Sequence, residues 1–430
     1  MTLSPFRGIR FNPDLVSDLS RVMAPPYDVI SVGRQQQLYD ASPHNIVRVD
    51  FGQQQAGDTE GNDRYSRAAS TLEAWLKEKV LIQDREPSLY LYEQTFSYAG
   101  RSYPRRGFFV TRRIEPLGKR VRPHEKTLSG PKADRLLLMK ATAANLSPIF
   151  CLYSDPSKQV TTLLAPLYEA KPLYDFVDTD GIREKLWRVT DPKIFQEVDH
   201  LFHERDLFIA DGHHRYETSI TYRDWRRGQE RGEGADYVMM FLAEMSDPGL
   251  LILPTHRALQ NWPDFDAGRF KKYLGDYFDF KTFNPNQKTE FMKSLHQEEG
   301  RRAAFGLLFP GDPQFHLITL ADRAKSRAEF KTLGDVTPLV DTAVLHELIF
   351  RQLLKLNEAA EKELRYLLYI KDTEEAIQKQ ADPSVNCVFL VNAIPMEVLK
   401  KVSSAGLVLP PKTTFFYPKL LTGLVMNRLE

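Results

Sequence analysis

The chain has 430 residues, of which 42% are hydrophobic and 27% are charged, a mixture typical of a globular protein with two or three domains. Its 58 Lys and Arg residues almost balance its 57 Asp and Glu residues, so we expect neither a nucleic-acid partner nor a membrane partner. Two cysteines exclude a zinc site built on thiolates, and the lack of a signal pattern and of a membrane-length apolar stretch predicts a cytoplasmic protein.

The predicted elements alternate between helical and strand periodicity along the whole chain. The N-terminal part, to about Gly52, is rich in Pro and Asp, and its segment 24–29 is predicted to be extended because each proline fixes its own φ. In chain order we then predict a helix at 64–79, paired strands at 89–92 and 107–110, a helix at 134–144, strands at 149–153 and 207–210, a helix at 212–227, and strands at 238–243 and 250–253.

Beyond Asn261 the pattern predicts a helix, further strands and a second long helix. These elements lie at 304–309 and 315–320 (paired strands), 341–356 (the long helix) and 387–391 (a last strand). The whole pattern predicts an α+β or mixed α/β fold. We expect an N-terminal segment (1–88), a catalytic core (89–260) and a C-terminal α/β domain (261–430).

The central motif is Asp-Gly-His-His-Arg at 211–215, which follows four apolar residues and opens a predicted helix. The first amides of a helix have no intrahelical acceptor and the dipole favours negative charge there, so a strand that feeds a helix through a glycine is a recurring anion site. Asp211 is a candidate helix cap or metal ligand, and Gly212 lets a ligand approach the backbone closely. His213, His214 and Arg215 supply donors. The alternative is structural, since Asp-Gly is a common helix start and histidines can satisfy buried backbone groups.

A second motif, Pro-His-Glu-Lys-Thr at 123–127, places Glu125 in a predicted loop. We expect the basic residues near it, Arg120, Arg122, Lys126 and Lys132, to keep the carboxylate ionised. An ionised carboxylate near a phosphate site is a reasonable general base. The alternative is a surface ion pair, which is the commoner role of a loop glutamate.

Three further segments carry weaker signals. Pro-Thr-His-Arg closes a strand and makes His256 and Arg257 candidate substrate-binding residues, while Lys412 and Lys419 lie on a proline-bounded loop that could close over a phosphate or simply face solvent. The run 101–122, with seven Arg and one Lys, is the best candidate for a basic patch. The sequence contains no Walker loop, no dinucleotide fingerprint, no zincin helix and no Gly-x-Ser-x-Gly elbow, which removes the commonest nucleotide and hydrolase interpretations.

Taken in order, the motifs resemble a known family. Pro-Phe-Arg-Gly near the start, Ala-Pro-Pro-Tyr-Asp-Val, Pro-His-Glu-Lys-Thr, Ser-Pro-Ile-Phe, Ala-Asp-Gly-His-His-Arg-Tyr-Glu-Thr, Pro-Thr-His-Arg and Phe-Tyr-Pro-Lys resemble the bacterial and archaeal family called domain of unknown function 1015. The resemblance covers nearly the whole chain.

More distantly, Pro-His-Glu followed by Asp-Gly-His-His-Arg is similar to free serine kinases of the ParB/sulfiredoxin superfamily. That resemblance implies a ParB/sulfiredoxin-like core with additional N- and C-terminal α/β segments. It implies that Glu125 is the base toward the serine hydroxyl and that Asp211 is the carboxylate directed at a metal ion or the hydroxyl. It further implies nucleotide-phosphate contacts from His124, Gly212, His213, His214 and Arg215.

Together these patterns predict a kinase that uses ATP or ADP, with Mg²⁺ bound by Asp211, to phosphorylate a small hydroxylated metabolite. Free L-serine is the best single candidate for that metabolite. One alternative is a ParB-like switch that binds and hydrolyses nucleotide without an acceptor. Another is a metal-dependent hydrolase that uses Asp211, His213, His214 and His256, although adjacent histidines on a helix point about 100° apart and bind one ion awkwardly. The oligomeric state stays open.

Overall fold

The computed structural model describes residues 2–127, 129–229, 233–328, 339–356 and 365–429. The chain forms two compact units. The first comprises Met1–Pro123, Thr127–Leu251 and Pro418–Glu430, and the second comprises His124–Lys126 and Ile252–Tyr417. Each unit has its own sheet and its own apolar core, and the fold is mixed α/β as the sequence predicts. The three-segment division at 88/89 and 260/261 stays a prediction.

The first unit is built on a nine-stranded mixed sheet. Its longest hairpin joins Leu89–Tyr98 to Arg101–Arg113 through Ala99 and Gly100, both at positive φ, which is the two-residue turn that matches the twist of the strands. From one edge to the other, the strands are Val121–Arg122, Leu207–Asp211, Ile149–Tyr153, Tyr237–Glu244, Arg101–Arg113, Leu89–Tyr98, Arg183–Val189 and Tyr174–Val177, with Leu3–Ser4 also beside Arg101–Arg113.

The strand that leads into the central motif lies inside this sheet. Leu207–Asp211 pairs in parallel with Val121–Arg122 and antiparallel with Ile149–Tyr153. Its first four residues are buried, as expected for an apolar run with a sheet neighbour on each side. The pairing with Val121–Arg122 covers only Leu207 and Phe208, and the pairing with Ile149–Tyr153 continues to Asp211 through a register shift after Ile209. The carboxyl end of the strand is therefore held from one side.

Two helices of the first unit, Arg64–Lys77 and His213–Arg227, begin where the sequence predicts them, whereas the helix predicted at 134–144 is Ser129–Thr142 and begins five residues earlier. The helix Arg64–Lys77 starts at Asp63, whose side chain accepts from the amides of Tyr65 and Ser66, and it buries Ala68, Leu72 and Trp75. The α-helices of this unit are Val32–Ala41, Val47–Asp50, Arg64–Lys77, Ser129–Thr142, Gln159–Leu164, Pro192–Phe202 and His213–Arg227. Two short ladders, Ile9–Phe11 with Leu81–Gln83 and Ala144–Asn145 with Asn427–Arg428, complete the unit.

The second unit contains a six-stranded antiparallel sheet. The strand order is Phe278–Phe283, Phe315–Leu320, Ala304–Leu308, Val385–Val391, His256–Gln260 and Leu367–Ile370. Its α-helices are Ala267–Gly275, Lys288–His296, Asp341–Val344, Thr373–Gln378 and Met396–Ser404. Two short strands, Leu251–Leu253 and Phe415–Tyr417, lie where the main segment of this unit, Ile252–Tyr417, begins and ends in the sequence.

Three predictions from the sequence need correction. The expected long helix at 341–356 is an α-helical turn, Asp341–Val344, followed by a π-helix, Leu345–Leu353, because hydrophobic periodicity does not distinguish the two hydrogen-bonding patterns. Val385–Val391 is not the last strand, since two short strands follow it. The basic patch predicted for the run 101–122 lacks two of its arginines, because Arg105 and Arg112 are fully buried in the sheet.

Within the described ranges, every helix is too short or too polar to cross a bilayer.

Candidate phosphate site at a helix start

The central motif lies where the buried strand Leu207–Asp211 turns into the helix His213–Arg227. The turn is made by Gly212, whose φ of +93° is in the left-handed region that favours glycine. A Cβ at this position would lie 3.0 Å from Nε of Arg215, so a larger residue would strain the turn and displace that guanidinium. The glycine therefore permits both the turn and the packing of Arg215 beneath it.

Asp211 is the centre of a charged cluster rather than a helix cap. Its Oδ2 accepts from Arg215 and its Oδ1 accepts from the ammonium of Lys419, and we name these three residues the Asp211 cluster. The three side chains are only 11–15% exposed. Burial alone would raise the pKa of Asp211, but Lys419 and Arg215 outweigh it and hold that pKa well below its usual value. With the carboxylate ionised, the cluster carries a net charge of +1.

The expectation that Asp211 caps the helix is wrong. The N-cap residue is Gly212, and no side chain bonds to the first-turn amides as a cap. The first intrahelical bond runs from the Tyr216 amide to the Gly212 carbonyl at 2.9 Å. The three amides before it, at 213–215, have no acceptor within the helix, so backbone donors and two cations occur together at the helix start. His213 is buried there and His214 is half-buried.

Lys419 is held in place by a buried polar network that the motifs do not reveal. Gln94 donates to the Lys419 carbonyl at 3.2 Å, and Arg105 donates to the Pro418 carbonyl at 2.7 Å and also to the side chain of Gln94. Glu184 lies behind them and accepts from Tyr92 at 2.6 Å and from Gln94 at 3.1 Å. This network fixes the backbone on which the Lys419 side chain stands.

The network is electrostatically unusual because all of it is withdrawn from solvent. Burial raises the pKa of Glu184 to about 8 and lowers the pKa of Arg105 to about 10. Its sequence signal is weak: a Glu and an Arg on strands look like alternating surface positions. Its partners also lie up to 325 residues apart in the chain, beyond any local pattern.

The other predicted residues belong to the second unit, where they form what we name the Glu125 loop, His124–Lys126 with 409–414. His124 is fully buried, and its Nε2 contacts Oγ1 of Thr414 at 2.9 Å while its carbonyl accepts from the Leu409 amide. Glu125 forms a parallel bridge with Leu409, and its Oε1 accepts from the Lys412 amide at 3.5 Å. The backbone of Glu125 is thus firmly anchored. Lys412 has an exposed side chain and a φ of +59°.

His256 and Arg257 are buried at the start of the strand His256–Gln260. The guanidinium of Arg257 donates to the carbonyls of Thr255, Pro411 (3.4 Å) and Lys412 (2.9 Å), and it stacks over Tyr369. His256 accepts from the Val391 amide through Nδ1 and contacts Thr373 through Nε2. Burial, helped by Arg257, lowers the pKa of His256 to about 4, so the imidazole is neutral at pH 7. Both residues brace the second unit.

Three of the basic residues expected around Glu125 have acidic partners of their own in the first unit. Arg120 pairs with Glu204 at 3.7 Å, and Arg122 pairs with Asp206 at 3.2 Å. Lys132 pairs with Glu217 at 2.7 Å. Because these cations are close to Glu125 along the chain, the sequence predicts that they lie beside its carboxylate. The fold instead pairs them with acidic residues about 84 positions or more downstream.

A metal ion fits this chain poorly in the arrangement that the structure describes. Both carboxylate oxygens of Asp211 already accept from cations, and a divalent ion there would compete with Arg215 and Lys419. Among the described residues, no group of three or more His, Cys, Asp or Glu side chains is arranged to hold a metal ion. A protein cage for Mg²⁺ is therefore not supported, and the ion's binding by Asp211 stays a prediction.

Comparison with known proteins decides the family. A family model described as "Protein of unknown function (DUF1015)" matches residues 3–343. The chain belongs to this family. That confirms the identification from the ordered motifs. None of the curated proteins compared with the sequence matches it.

Several solved structures are distantly similar to the chain. A mutant free serine kinase in complex with AMP is 13% identical, with a TM-score of 0.36 over 72% of this chain and 87% of that one. A conserved hypothetical protein from Pyrococcus furiosus is 14% identical, with a TM-score of 0.35 over 73% and 92% of the two chains. SbnI with a C-terminal truncation, from Staphylococcus aureus, is 10% identical, with a TM-score of 0.35 over 70% and 82%.

Proposed function

We propose that this protein is a nucleotide-dependent kinase that phosphorylates the hydroxyl of a small metabolite, with free L-serine as the first acceptor to test. The observation that carries the proposal is the Asp211 cluster, in which Arg215 and Lys419 both pair with one carboxylate at a helix start. We further propose that the Asp211 cluster belongs to a ParB/sulfiredoxin-like core, as the motif resemblance implies.

The cluster has the properties that a phosphate site needs. Its net positive charge attracts an anion. The amides at 213–215 lie at the N-terminus of the helix, which is the positive end of the helix dipole. Asp211 contacts both cations and so holds their side chains in place before the ligand binds. This lowers the entropy that would be lost in ordering these side chains on binding. We assign Gly212, His213, His214, Arg215 and Lys419 to the nucleotide phosphates, with His124 and Lys412 as further candidates.

The proposed reaction transfers one phosphoryl group from ATP or ADP to an alcohol. The acceptor oxygen forms a bond to the terminal phosphorus while the bond from that phosphorus to the bridging oxygen breaks, and ADP or AMP leaves. Glu125 receives the proton of the hydroxyl as general base, a role it takes from the Pro-His-Glu resemblance. His256 and Arg257 stay proposals as acceptor-binding residues. Mg²⁺ bound by Asp211 stays a proposal, and no step is assigned to it.

The experiment is a phosphorus NMR time course with the full chain, L-serine and either ATP or ADP. The kinase proposal expects a new phosphomonoester resonance that grows as the donor is consumed. A loss of donor with only inorganic phosphate formed would instead establish a nucleotide-hydrolysing switch, and no consumption under any metal condition would contradict both. Phosphate release from simple esters without nucleotide would establish the hydrolase alternative.

The base assignment has its own test in the same assay. Glu125→Gln removes the proton acceptor and should lower the rate of transfer by roughly 100-fold or more, which is the usual contribution of a general base. The matched control is Glu169→Gln, because Glu169 is an exposed glutamate of the first unit. Full transfer by Glu125→Gln contradicts the assignment of the base and leaves the phosphate site in place.

A further inference from the structure

A small cavity of about 40 Å³ lies beside Arg215 within the first unit. Its charged lining residues are Asp50, Arg135 and Arg215. The rest of the lining combines small polar side chains, such as Ser147 and Ser219, with apolar side chains, such as Leu138 and Ile149. A cavity of this volume holds roughly three water-sized groups. Neither Asp50 nor Arg135 is part of the Asp211 cluster, so the cavity calls for an explanation of its own.

Asp50 is buried with half of its hydrogen-bonding capacity unused. It ends the helix Val47–Asp50 and is 3% exposed. Its Oδ1 accepts from Nη1 of Arg135 at 3.2 Å, and its backbone carbonyl accepts from the same nitrogen at 2.8 Å. Its Oδ2 is also buried and has no hydrogen-bond partner among the described residues. A buried acceptor without a partner costs on the order of 1–3 kcal/mol, so it needs a reason to persist.

Arg135 is fixed so firmly that it cannot turn away from the cavity. Its guanidinium stacks 4.1 Å from the ring centroid of Tyr27, which comes from the Ala-Pro-Pro-Tyr-Asp-Val motif. It also pairs with Asp134 at 2.6 Å, and Asp134 accepts from the hydroxyl of Tyr65 at 2.8 Å. The segment 24–29 is predicted from the sequence to be extended, but its residues Tyr27–Val29 form a 3-10 helix. The segment acquires a role here, since it supplies the ring that holds Arg135 in place.

We propose that this cavity binds the zwitterionic head group of the phosphoryl acceptor, a small free amino acid. Oδ2 of Asp50 accepts from the ligand's ammonium group, and Arg135 and Arg215 lie on the side of its carboxylate. The inference rests on the proposed function, because that function supplies the reason for an acceptor beside Arg215.

Other small ligands fit the cavity less well. A metal cation would add two positive charges beside two guanidinium groups, which Coulomb repulsion opposes. An inorganic anion would lie against the carboxylate of Asp50. Burial raises the pKa of Asp50, and Arg135 and Arg215 oppose that rise only in part. The lining therefore places one carboxyl group beside two guanidinium groups. A zwitterion complements both signs at once.

Calorimetric titration of the full chain with four small ligands tests the inference. L-Serine and L-alanine share the head group and should bind within about tenfold of each other. L-Lactate lacks the ammonium group and ethanolamine lacks the carboxylate, so each should bind at least 30-fold more weakly than L-serine. Lactate binding as tightly as L-serine would overturn the proposal, as would no detectable binding of L-serine either alone or with AMP present.

Variants localise the binding. Asp50→Asn should weaken L-serine binding at least 10-fold, whereas the control Asp178→Asn should leave it unchanged. Asp178 is a partly buried carboxylate of the same unit that accepts from the Ile182 amide at 2.8 Å. Unchanged affinity in folded Asp50→Asn overturns the assignment. Should Asp50→Asn not fold, Ser147→Leu fills the half-buried edge of the cavity with the ion pair intact, and retention of full L-serine affinity by this variant overturns the assignment equally.

The same measurements separate this inference from the kinase proposal. L-Serine binding that depends on Asp50, without any phosphoryl transfer, supports the amino-acid site and contradicts the kinase. Transfer to L-serine with an unchanged KM in Asp50→Asn supports the kinase and contradicts the amino-acid site. A raised KM with nearly constant kcat, together with unchanged ADP affinity, is the result expected if both are right.

Discussion

The Asp211 cluster and the strand start at His256–Arg257 each contain an arginine that follows a histidine in the sequence, but their cations have different partners. Arg215 and Lys419 pair with a carboxylate at the edge of solvent, and Arg215 also donates to one backbone carbonyl, that of Pro148. Arg257 instead donates to three backbone carbonyls and is fully buried. A cation paired with a carboxylate can exchange that partner for a phosphate. A cation that satisfies backbone carbonyls is committed to the fold, because moving it leaves several acceptors unsatisfied.

The surroundings of a His-Arg motif in the fold, rather than its sequence, determine whether its cation is available to a ligand. Two motifs with histidine next to arginine, at 213–215 and 256–257, look alike in the sequence. In the first, Gly212 adopts a left-handed conformation and Lys419, from a distant part of the chain, pairs with Asp211. Together they give the helix start a positive charge. In the second, both ring nitrogens of His256 have partners within the unit, and burial lowers its pKa to about 4, so the imidazole is neutral at pH 7.

The largest expected effect comes from removing the carboxylate that both cations share. Asp211→Asn should lower the rate of phosphoryl transfer by roughly 100- to 1000-fold, because it uncouples Arg215 and Lys419 and loses their preorganisation. Steady-state rates with saturating donor measure it, with Asp178→Asn as the matched variant. A rate within threefold of wild type would mean that the carboxylate has no part in catalysis.

Arg257 should show the opposite behaviour, with its main effect on stability. Arg257→Met leaves the carbonyls of Thr255, Pro411 and Lys412 without their donor and should destabilise the second unit by about 3 kcal/mol. Thermal unfolding followed by circular dichroism should show a loss of roughly 6–12 °C in Tm. Arg301→Met, at an exposed position of the same unit, should leave Tm unchanged. If Arg257→Met and Arg301→Met unfold at the same Tm, Arg257 does not brace the second unit.

Glu184 adds a pH dependence to the network behind Lys419. Burial raises its folded pKa to about 8, whereas the pKa of an unfolded glutamate lies near its usual value of 4.5. Between these values the folded chain binds a proton that the unfolded chain does not, so the carboxyl lowers stability as pH rises, by up to about 1.4 kcal/mol per pH unit. Glu184→Gln should flatten the fall in Tm between pH 5 and 8, and Glu197→Gln, at an exposed position, should not.

A fall in Tm that is equally steep in Glu184→Gln and in wild type would show that Glu184 is not the group that titrates. Asp341 of the second unit, whose pKa burial raises to about 7, contributes a fall of the same sign and is left intact in every variant.

The smallest expected effect belongs to Lys412. The sequence makes Lys412 and Lys419 equivalent, but the side chain of Lys412 is exposed while that of Lys419 is 14% exposed and ion-paired. An exposed lysine is screened by solvent and contributes little, so Lys412→Met should weaken ADP binding by less than about threefold. If Lys412→Met weakens ADP binding as much as Lys419→Met does, Lys412 contributes to the phosphate site and this prediction is wrong.

Local sequence pattern predicts the strand, the glycine turn and the helix around Asp211, because each of these depends on residues within one short window. The same reasoning fails for the partners of Asp211. Lys419 lies 208 residues downstream, and the carboxylate turns toward it instead of capping its own helix. Asp50 and Arg135 are likewise 85 residues apart, so no motif joins them. Periodicity also cannot separate the π-helix Leu345–Leu353 from an α-helix.

The central claim is that the Asp211 cluster binds nucleotide phosphates, and titration calorimetry with ADP tests it directly. Wild-type protein should bind ADP, and Lys419→Met should weaken that binding about 100-fold, equivalent to about 2.7 kcal/mol. Lys171→Met, at an exposed lysine of the same unit, should bind ADP as wild type does. Equal ADP affinity in the folded Lys419→Met and Lys171→Met variants, or no ADP binding by the wild-type protein, would contradict the account.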